Sequence, residues 1–354
     1  FDYCTGLTMT NDKFHALFGG LPRKPETQLS QREMDLADSI QAVTEEIVIK
    51  LAKSVARTTK QENLCIAGGV ALNCVANGKL LRENIFKRIW VQPAAGDAGG
   101  AVGAALSAYH VMLDQPRTVI DGLDGMLGSY LGPEFSQAEI TERLTALGAV
   151  FTTHSENEAI GQAARALAEG KTVGWFSGRM EFGPRALGGR SILADARSPS
   201  MQRILNLKVK HRESFRPFAP SVLREDASDW FEMNIDSPYM LFVANVVRAE
   251  RRQLSENEQA LFGIDKLNVP RSSIPAVTHV DYSARVQTVN KETNPRYYKL
   301  IQQFKVLTNC PVIVNTSFNV RGEPIVCSPE DAFRCFMRTG LDLLVVGNTV
   351  LQKT

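Results

Sequence analysis

No two of the six cysteines, Cys4, Cys65, Cys74, Cys310, Cys327 and Cys335, have the two-residue spacing of a zinc knuckle or a redox pair, so reduced thiols in a cytoplasmic protein are expected. Histidine is as sparse. His15, His110, His154, His211 and His279 are widely separated and form no i, i+4 pair, which leaves no complete metal site legible. There is no apolar run of the roughly 18 residues that would span a bilayer and no charged-then-apolar leader, so no membrane partner is expected. A charge excess is also lacking: 40 Lys and Arg against 38 Asp and Glu leave +2 over 354 residues, and no global field argues for a polyanionic surface. Neither a Walker loop nor a Ser-His-Asp arrangement can be defended.

What is present is ordinary globular composition, 44% hydrophobic and 22% charged, in a chain long enough to favour two domains. The chain opens on Phe1 within FDYCTGLTMT, which reads as the middle of a longer polypeptide. Ser30 and Glu33 form a capping box ahead of Leu36, Ile40, Val43, Ile47 and Leu51, the spacing of a long amphipathic helix. Two units of strand, glycine turn and helix follow. LCIA (64–67) leads through Gly68 and Gly69 into ALNCVANGKLL, and RIWVQP (88–93) leads through Gly96, Asp97, Gly99 and Gly100 into AVGAALSAYHVML. Such turns let backbone N–H groups approach an anion. Residues 116–133, interrupted by Gly122, Gly125, Gly128 and Gly132, are the expected boundary. Beyond it, capping boxes at Ser136/Glu139 and Ser155/Glu158, strands near VFTT, TVGWF, PVIVN and DLLVV, and a helix opened by Ser328 and Pro329 describe a second α/β region. The stretch 245–300 shows little periodicity.

The near-zero total conceals a local excess. Between Arg179 and Arg216, nine basic residues face three acidic ones, +6 in 38 residues, and the remainder sums to −4. GRMEFGPRALGGRS interleaves arginine with Gly, Pro and apolar residues, as loops gripping an oxyanion do; local ion pairs and carbonyl capping are the structural alternative. NTSFNVRGEP (315–324) puts Asn315, Ser317, Asn319 and Arg321 at the C-terminal end of a strand, where open α/β sheets hold ligands, although turn stabilisation explains Asn and Ser equally well. THVDYSARVQTV brings His279, Asp281 and Arg285 together at mixed spacing, and an arginine beside strands is usually an ion-pair partner. Asp97 in the glycine turn is a candidate carboxylate ligand or the N-cap of the following helix, and its spacing favours the cap.

Together, AGGVALNCVANGKLL (67–81), WVQPAAGDAGGAVGAAL (90–106), GWFSGRMEFGPRALGGRSIL (174–193), NLKVKHRESFRPFAPSV (206–222) and NTSFNVRGEPIVCSPEDA (315–332) resemble the O-carbamoyltransferase family of NodU, CmcH and TobZ type. The resemblance implies an α/β protein in which part of an ASKHA (actin and sugar-kinase-like) domain, residues 1–115, is joined by a linker, 116–133, to a YrdC-like twisted-sheet domain, 134–354. It also implies that the second domain makes carbamoyl-adenylate from carbamoyl phosphate and ATP with Mg2+, and that the first passes the carbamoyl group to a hydroxyl of a small-molecule acceptor, an antibiotic or a nodulation factor. The family's Lys-x-Arg and Ser-x-Asn are matched by Lys210, Arg212, Ser317 and Asn319, with Lys210, Arg212 and Ser317 as catalytic candidates. Arg179, Arg185, Arg216, Arg285, Asn315, Asn319 and Arg321 would bind nucleotide or carbamoyl phosphate; Gly68, Gly69 and Asn73 would face the carbamoyl-adenosine. The family's transfer site resembles an Fe2+ centre held by two histidines of one helix and aspartates, of which only Asp97 has a match. The chain is therefore expected to be a C-terminal portion with adenylation intact and transfer impaired, with a homodimer left open. An RNA-associated or tRNA-modification module is the competing reading, opposed by the few aromatics in the basic stretch, Phe182, Phe215 and Phe218. A HypF-type protein is opposed by the missing cysteine pairs.

Overall fold

The computed structural model describes residues 9–24, 27–119, 124–212 and 216–353; of the features above, Phe1, Cys4, Gly122 and Phe215 lie outside them. The chain divides into two compact units, Phe1–Lys50 and Leu51–Thr354. In the first, α1 (Asp12–Leu17) is capped by Asn11, whose side chain accepts from Phe14 N. The long helix α2 (Gln31–Thr59) starts at the expected box, with Ser30 N donating to Glu33 at 2.9 Å, and continues into the second unit. Its periodicity is as expected, but Ile40, Val43, Ile47, Leu51 and Val55 are exposed.

The second unit opens with the tandem pattern in the form its glycines foretell. Strand β1 (Asn63–Ile66) pairs in parallel with β2 (Arg88–Val91), and α3 (Cys74–Arg82) crosses between them. Gly68 makes the turn after β1 at φ 98°, a left-handed conformation that favours glycine. After β2 the chain enters α4 (Ala98–Ser107). Helix α3 lies on strand β7 (Phe242–Asn245) of the main sheet and approaches closely: a Cβ on Gly78 would sit 2.6 Å from Val243 Cγ2. Buried Asn77 anchors the contact, its amide donating to Ala71 O at 2.7 Å and Leu241 O at 3.0 Å.

That sheet has nine strands. In chain order they are β3 (Thr152–Thr153), β4 (Val173–Phe176), β5 (Arg190–Asp195), β6 (Ala219–Leu223), β7 (Phe242–Asn245), β8 (Ser283–Val289), β9 (Val312–Ser317), β10 (Leu343–Val346) and β11 (Thr349–Gln352), arranged in space as β3-β11-β10-β4-β5-β9-β6-β8-β7. It is mixed, with β10–β4 and β6–β8 parallel and the other pairs antiparallel. Helices α5 (Gln137–Ala146) and α6 (Glu156–Ala168) start at the two expected capping boxes. Three short helices follow, α7 (Met201–Ile204), α8 (Ala227–Trp230) and α9 (Glu256–Ala260), then α10 (Pro295–Thr308) and α11 (Pro329–Arg338). Helix α6 packs on α10 and α5 on α11, and the core between helices and sheet holds Trp175, Tyr297, Phe304, Phe318 and Phe336, all fully buried. Five strands were not legible: β5 inside the basic segment, β6 just after it, β7 at the edge of the stretch of weak periodicity, β8 inside that stretch, and β11 at the end of the chain. The described end of the expected boundary is stitched to the second region, with Gly132 N donating to Met180 O and Met180 N to Pro133 O, both at 2.9 Å.

Candidate functional site

The basic segment divides into two kinds of arginine. Arg190 opens β5 and is fully buried; its guanidinium donates to the carbonyls of Gly178 (3.0 Å), Pro133 (3.1 Å), Gly189 (3.2 Å) and Ser177 (3.4 Å) and lies 3.5 Å from the centre of the Phe176 ring. Arg197 pairs with Asp195 at 2.7 Å. The reading of GGRS as a ligand-gripping loop is corrected for Arg190, because a strand buries it among carbonyls that engage both terminal nitrogens, leaving only Nε without a partner. Nearby Glu181 is likewise used by the backbone, its Oε1 accepting from Leu187 N (2.6 Å) and Gly189 N (2.7 Å).

Arg185, Arg212 and Arg216 come together with Arg285 of β8 around a cavity of about 390 Å³, where α3 meets the loops at the ends of the sheet. Cys74 and Val75, at the start of α3, form part of its wall, and Asn315 and Ser317 of β9 another. Four guanidiniums therefore line the cavity, and among the described residues no carboxylate does. Arg185 donates to Leu72 O at 3.2 Å, yet its Nε and that of Arg285 are buried without a partner. Burial, and next the charge of Arg285, lowers the Arg185 pKa to about 10; burial also lowers Arg285, which contacts the Cys74 thiol. Like charges held this close at the edge of a low-dielectric interior cost free energy that an anion would offset.

Arg212 is aimed by its neighbours. Its Nε donates to Asn206 Oδ1 at 2.7 Å, Asn206 Nδ2 donates to Arg216 O at 3.0 Å, and the guanidinium rests 5.1 Å from the Phe218 ring. Between Lys210 and Arg212, His211 takes the left-handed conformation at φ 47°. Lys210 is buried, and its Nζ donates to Asn319 Oδ1 (2.8 Å), Asn319 O (3.0 Å), Ser317 Oγ (3.2 Å) and Ser317 O. Burial first and the charge of Arg212 second bring its pKa down to about 7. Lys210 is therefore the peg that fixes the end of β9, with Ser317 Oγ also donating to Asn319 Oδ1 at 2.7 Å. Asn315 is fully buried; its Nδ2 donates to Gln287 Oε1 (2.8 Å) and Ala186 O (3.1 Å), which leaves Oδ1 without a partner.

Other candidates lie apart from this group. Arg179 lines a different cavity of about 470 Å³, beside Glu134 at 3.5 Å. Arg321 is exposed in the loop after β9, and Gly68 and Gly69 are exposed in the turn after β1. Asn73 caps α3, accepting from Ala76 N at 3.1 Å. Asp97 stands at the N-cap position of α4 but makes no side-chain cap bond, which corrects the capping expectation, and it is exposed. Among the described residues no three His, Cys, Asp or Glu come together, so Asp97 has no companions and these residues do not fit an iron centre. Nor is any helix of the described residues long and apolar enough to cross a membrane. Sequence reasoning missed His279, Cys74 and Thr316 as cavity residues; for His279 the signal was its closeness to Arg285 in THVDYSAR.

Comparison with known proteins gives the family. Residues 164–353 match the family model described as Carbamoyltransferase C-terminus, and residues 1–106 match Carbamoyltransferase N-terminus. An uncharacterized protein of Synechocystis is 61% identical over 100% of this chain and 58% of its own length. Nodulation protein NolO of Bradyrhizobium diazoefficiens is 40% identical over 94% of this chain and 57% of its own length. The chain thus spans somewhat more than half the length of these relatives. A crystal structure of full-length HypF in its phosphate- and nucleotide-bound form aligns over 57% of this chain and 22% of that one at 18% identity, with a TM-score of 0.33, too slight a likeness to argue from. The two family models between them span the β1–α3–β2 unit and all strands of the main sheet but β3, and by them the chain belongs to the carbamoyltransferase family.

Proposed function

We propose that residues 134–354 form a YrdC-like domain that makes carbamoyl-adenylate from carbamoyl phosphate and ATP, and that residues 1–115 belong to an ASKHA-type domain that hands the carbamoyl group to a hydroxyl acceptor, with 116–133 between them. The whole protein is an ATP-dependent O-carbamoyltransferase. The observation that carries this reading is the cavity lined by Arg185, Arg212, Arg216 and Arg285 and by no described carboxylate. Forks of this kind bind phosphate oxygens through paired N–H groups and neutralise charge that accumulates as phosphate leaves.

Arg185 and Arg285 hold the phosphate of carbamoyl phosphate, and Arg212 and Arg216 the nucleotide phosphates that enter with Mg2+. Asn315 Oδ1, a buried acceptor lacking a donor, receives the carbamoyl NH2, a group that inorganic phosphate and acetyl phosphate lack. Water takes up the phosphoryl group of carbamoyl phosphate, giving orthophosphate and carbamate. A carbamate oxygen then attacks the α-phosphorus of ATP, and pyrophosphate departs. Lys210 keeps Ser317 and Asn319 in place for the nucleotide. No step is routed through iron, because Asp97 stands alone.

Pyrophosphate release by the purified chain, with ATP and carbamoyl phosphate together and with each omitted, tests the reading. Release is expected only when both are present, and Arg212→Ala is expected to lose it. Release that ignores carbamoyl phosphate would sink the assignment.

A further inference from the structure

His279 has so far no role, although its side chain lines the arginine cavity beside Arg285. Its ring is held by a closed turn. Nδ1 lies 3.1 Å from Ser283 Oγ, His279 N donates to Ser283 O at 2.8 Å, and Tyr282 N donates to His279 O at 3.0 Å with Tyr282 at φ 65°. Asp281 Oδ1 is engaged by Ser283 N at 3.0 Å, within the same turn. Among the described residues, Nε2 is the ring nitrogen with no partner.

The groups that bear on this ring are Asp281, Arg285 and Arg271; burial outweighs them all, and with the two arginines it brings the ring down to about 4 against the pull of Asp281. At neutral pH the imidazole is uncharged. A fifth cation at this cavity would add repulsion, whereas a neutral N–H adds a directed bond without it. Building on the anion reading of the cavity, we infer that His279 binds a phosphate oxygen of the ligand through Nε2–H, and that Ser283 is a positioning residue whose hydroxyl donates to Nδ1 and so keeps the ring proton on Nε2.

The test is the NMR titration of the His279 ring, assigned by its loss in His279→Gln, without ligand and then with saturating inorganic phosphate, with carbamoyl phosphate and with ATP as separate arms. A bound dianion within reach of the ring raises its midpoint by about 1 to 3 pH units, and the arm that does so names the phosphate it holds. Calorimetric phosphate affinity is expected to fall about tenfold in His279→Leu, which lacks a donor to a charged acceptor, and within threefold in His279→Gln, which restores one. Ser283→Ala is expected to fall between them. If phosphate binds, and Arg285→Ala abolishes it, while the His279 titration does not move in any arm, the role of His279 is overturned and the cavity reading survives. If no phosphate binds the wild-type chain at all, both fall together.

Discussion

Arg190 and Arg285 sit on strands of one sheet and share a penalty, since burial lowers the pKa of each, yet their surroundings are opposite. Around Arg190 the chain supplies four carbonyls to the two terminal nitrogens and an aromatic face, so the charge is solvated by the fold itself although Nε has no partner. Around Arg285 it supplies, among the described residues, a second arginine and a thiol but no carbonyl, and its Nε is likewise without a partner. A buried cation satisfied from within is a structural member; one left unsatisfied at a cavity is preorganised for a ligand at some expense in stability.

Removing each arginine separates the two cases. Arg190→Ala strips the guanidinium from four buried carbonyls and from the charge of Glu181, and is expected to cost about 3 to 5 kcal/mol in denaturant unfolding. Arg285→Ala is expected to leave the unfolding midpoint unchanged or slightly raised, because repulsion with Arg185 is relieved, while pyrophosphate release drops by about 10²- to 10³-fold. The comparison breaks if Arg285→Ala unfolds the protein or if Arg190→Ala loses activity at full stability.

The cavity wall contributed by α3 depends on a missing Cβ. Gly78→Ala would press a methyl group against Val243 Cγ2 and Val243 O, at 2.6 and 2.7 Å from its ideal position. Val243 is the register partner of Arg285 on β8. Displacing α3 is expected to cost about 1 to 3 kcal/mol and to weaken phosphate binding through Cys74 and Val75, as read by unfolding and calorimetry.

Lys210 sharpens the contrast through pH. Its pKa in the fold, about 7, lies below the ordinary lysine value of 10.5, so the unfolded chain holds the proton more tightly. Between those two values the unfolded state carries the extra proton, and stability attributable to Lys210 rises with pH. Unfolding at pH 6 and pH 9 is expected to show wild type gaining on Lys210→Met as pH rises; a constant difference would mean that the carbonyl cage keeps the ammonium charged throughout.

Much of this was legible where local chemistry decides. Complete capping boxes at Ser136 and Ser155 start helices as read, Ser30 N donates to Glu33 at the start of α2, and the helix opened by Ser328 also starts with a box, because cap and partner lie within four residues of each other. The parallel pair β1–β2 follows from the repeated glycine turns. The basic segment was recognised as a whole, but whether each arginine meets carbonyls or a cavity depends on partners as distant in sequence as Pro133 for Arg190 and Leu72 for Arg185. Likewise α2 and α6 carry the same amphipathic grammar, yet α6 buries Ile160, Ala163 and Leu167 while α2 buries only Ala52 among its described residues: spacing tells which face is apolar, not what covers it. His279 escaped because its value lies in the Ser283 turn, which composition cannot show.

The smallest expected effect concerns Cys74, the half-buried thiol that touches Arg285. If phosphate occupies the space between Arg185 and Arg285, it covers this sulfur, so access to it falls. Iodoacetamide labelling followed by peptide mass spectrometry is expected to show Cys74 slowed a few-fold by inorganic phosphate at constant ionic strength, with exposed Cys65 as the internal control. Equal slowing at both cysteines would point to a general salt effect. Slowing of Cys74 that persists in Arg285→Ala would place the anion elsewhere in the cavity and remove Arg285 from its binding.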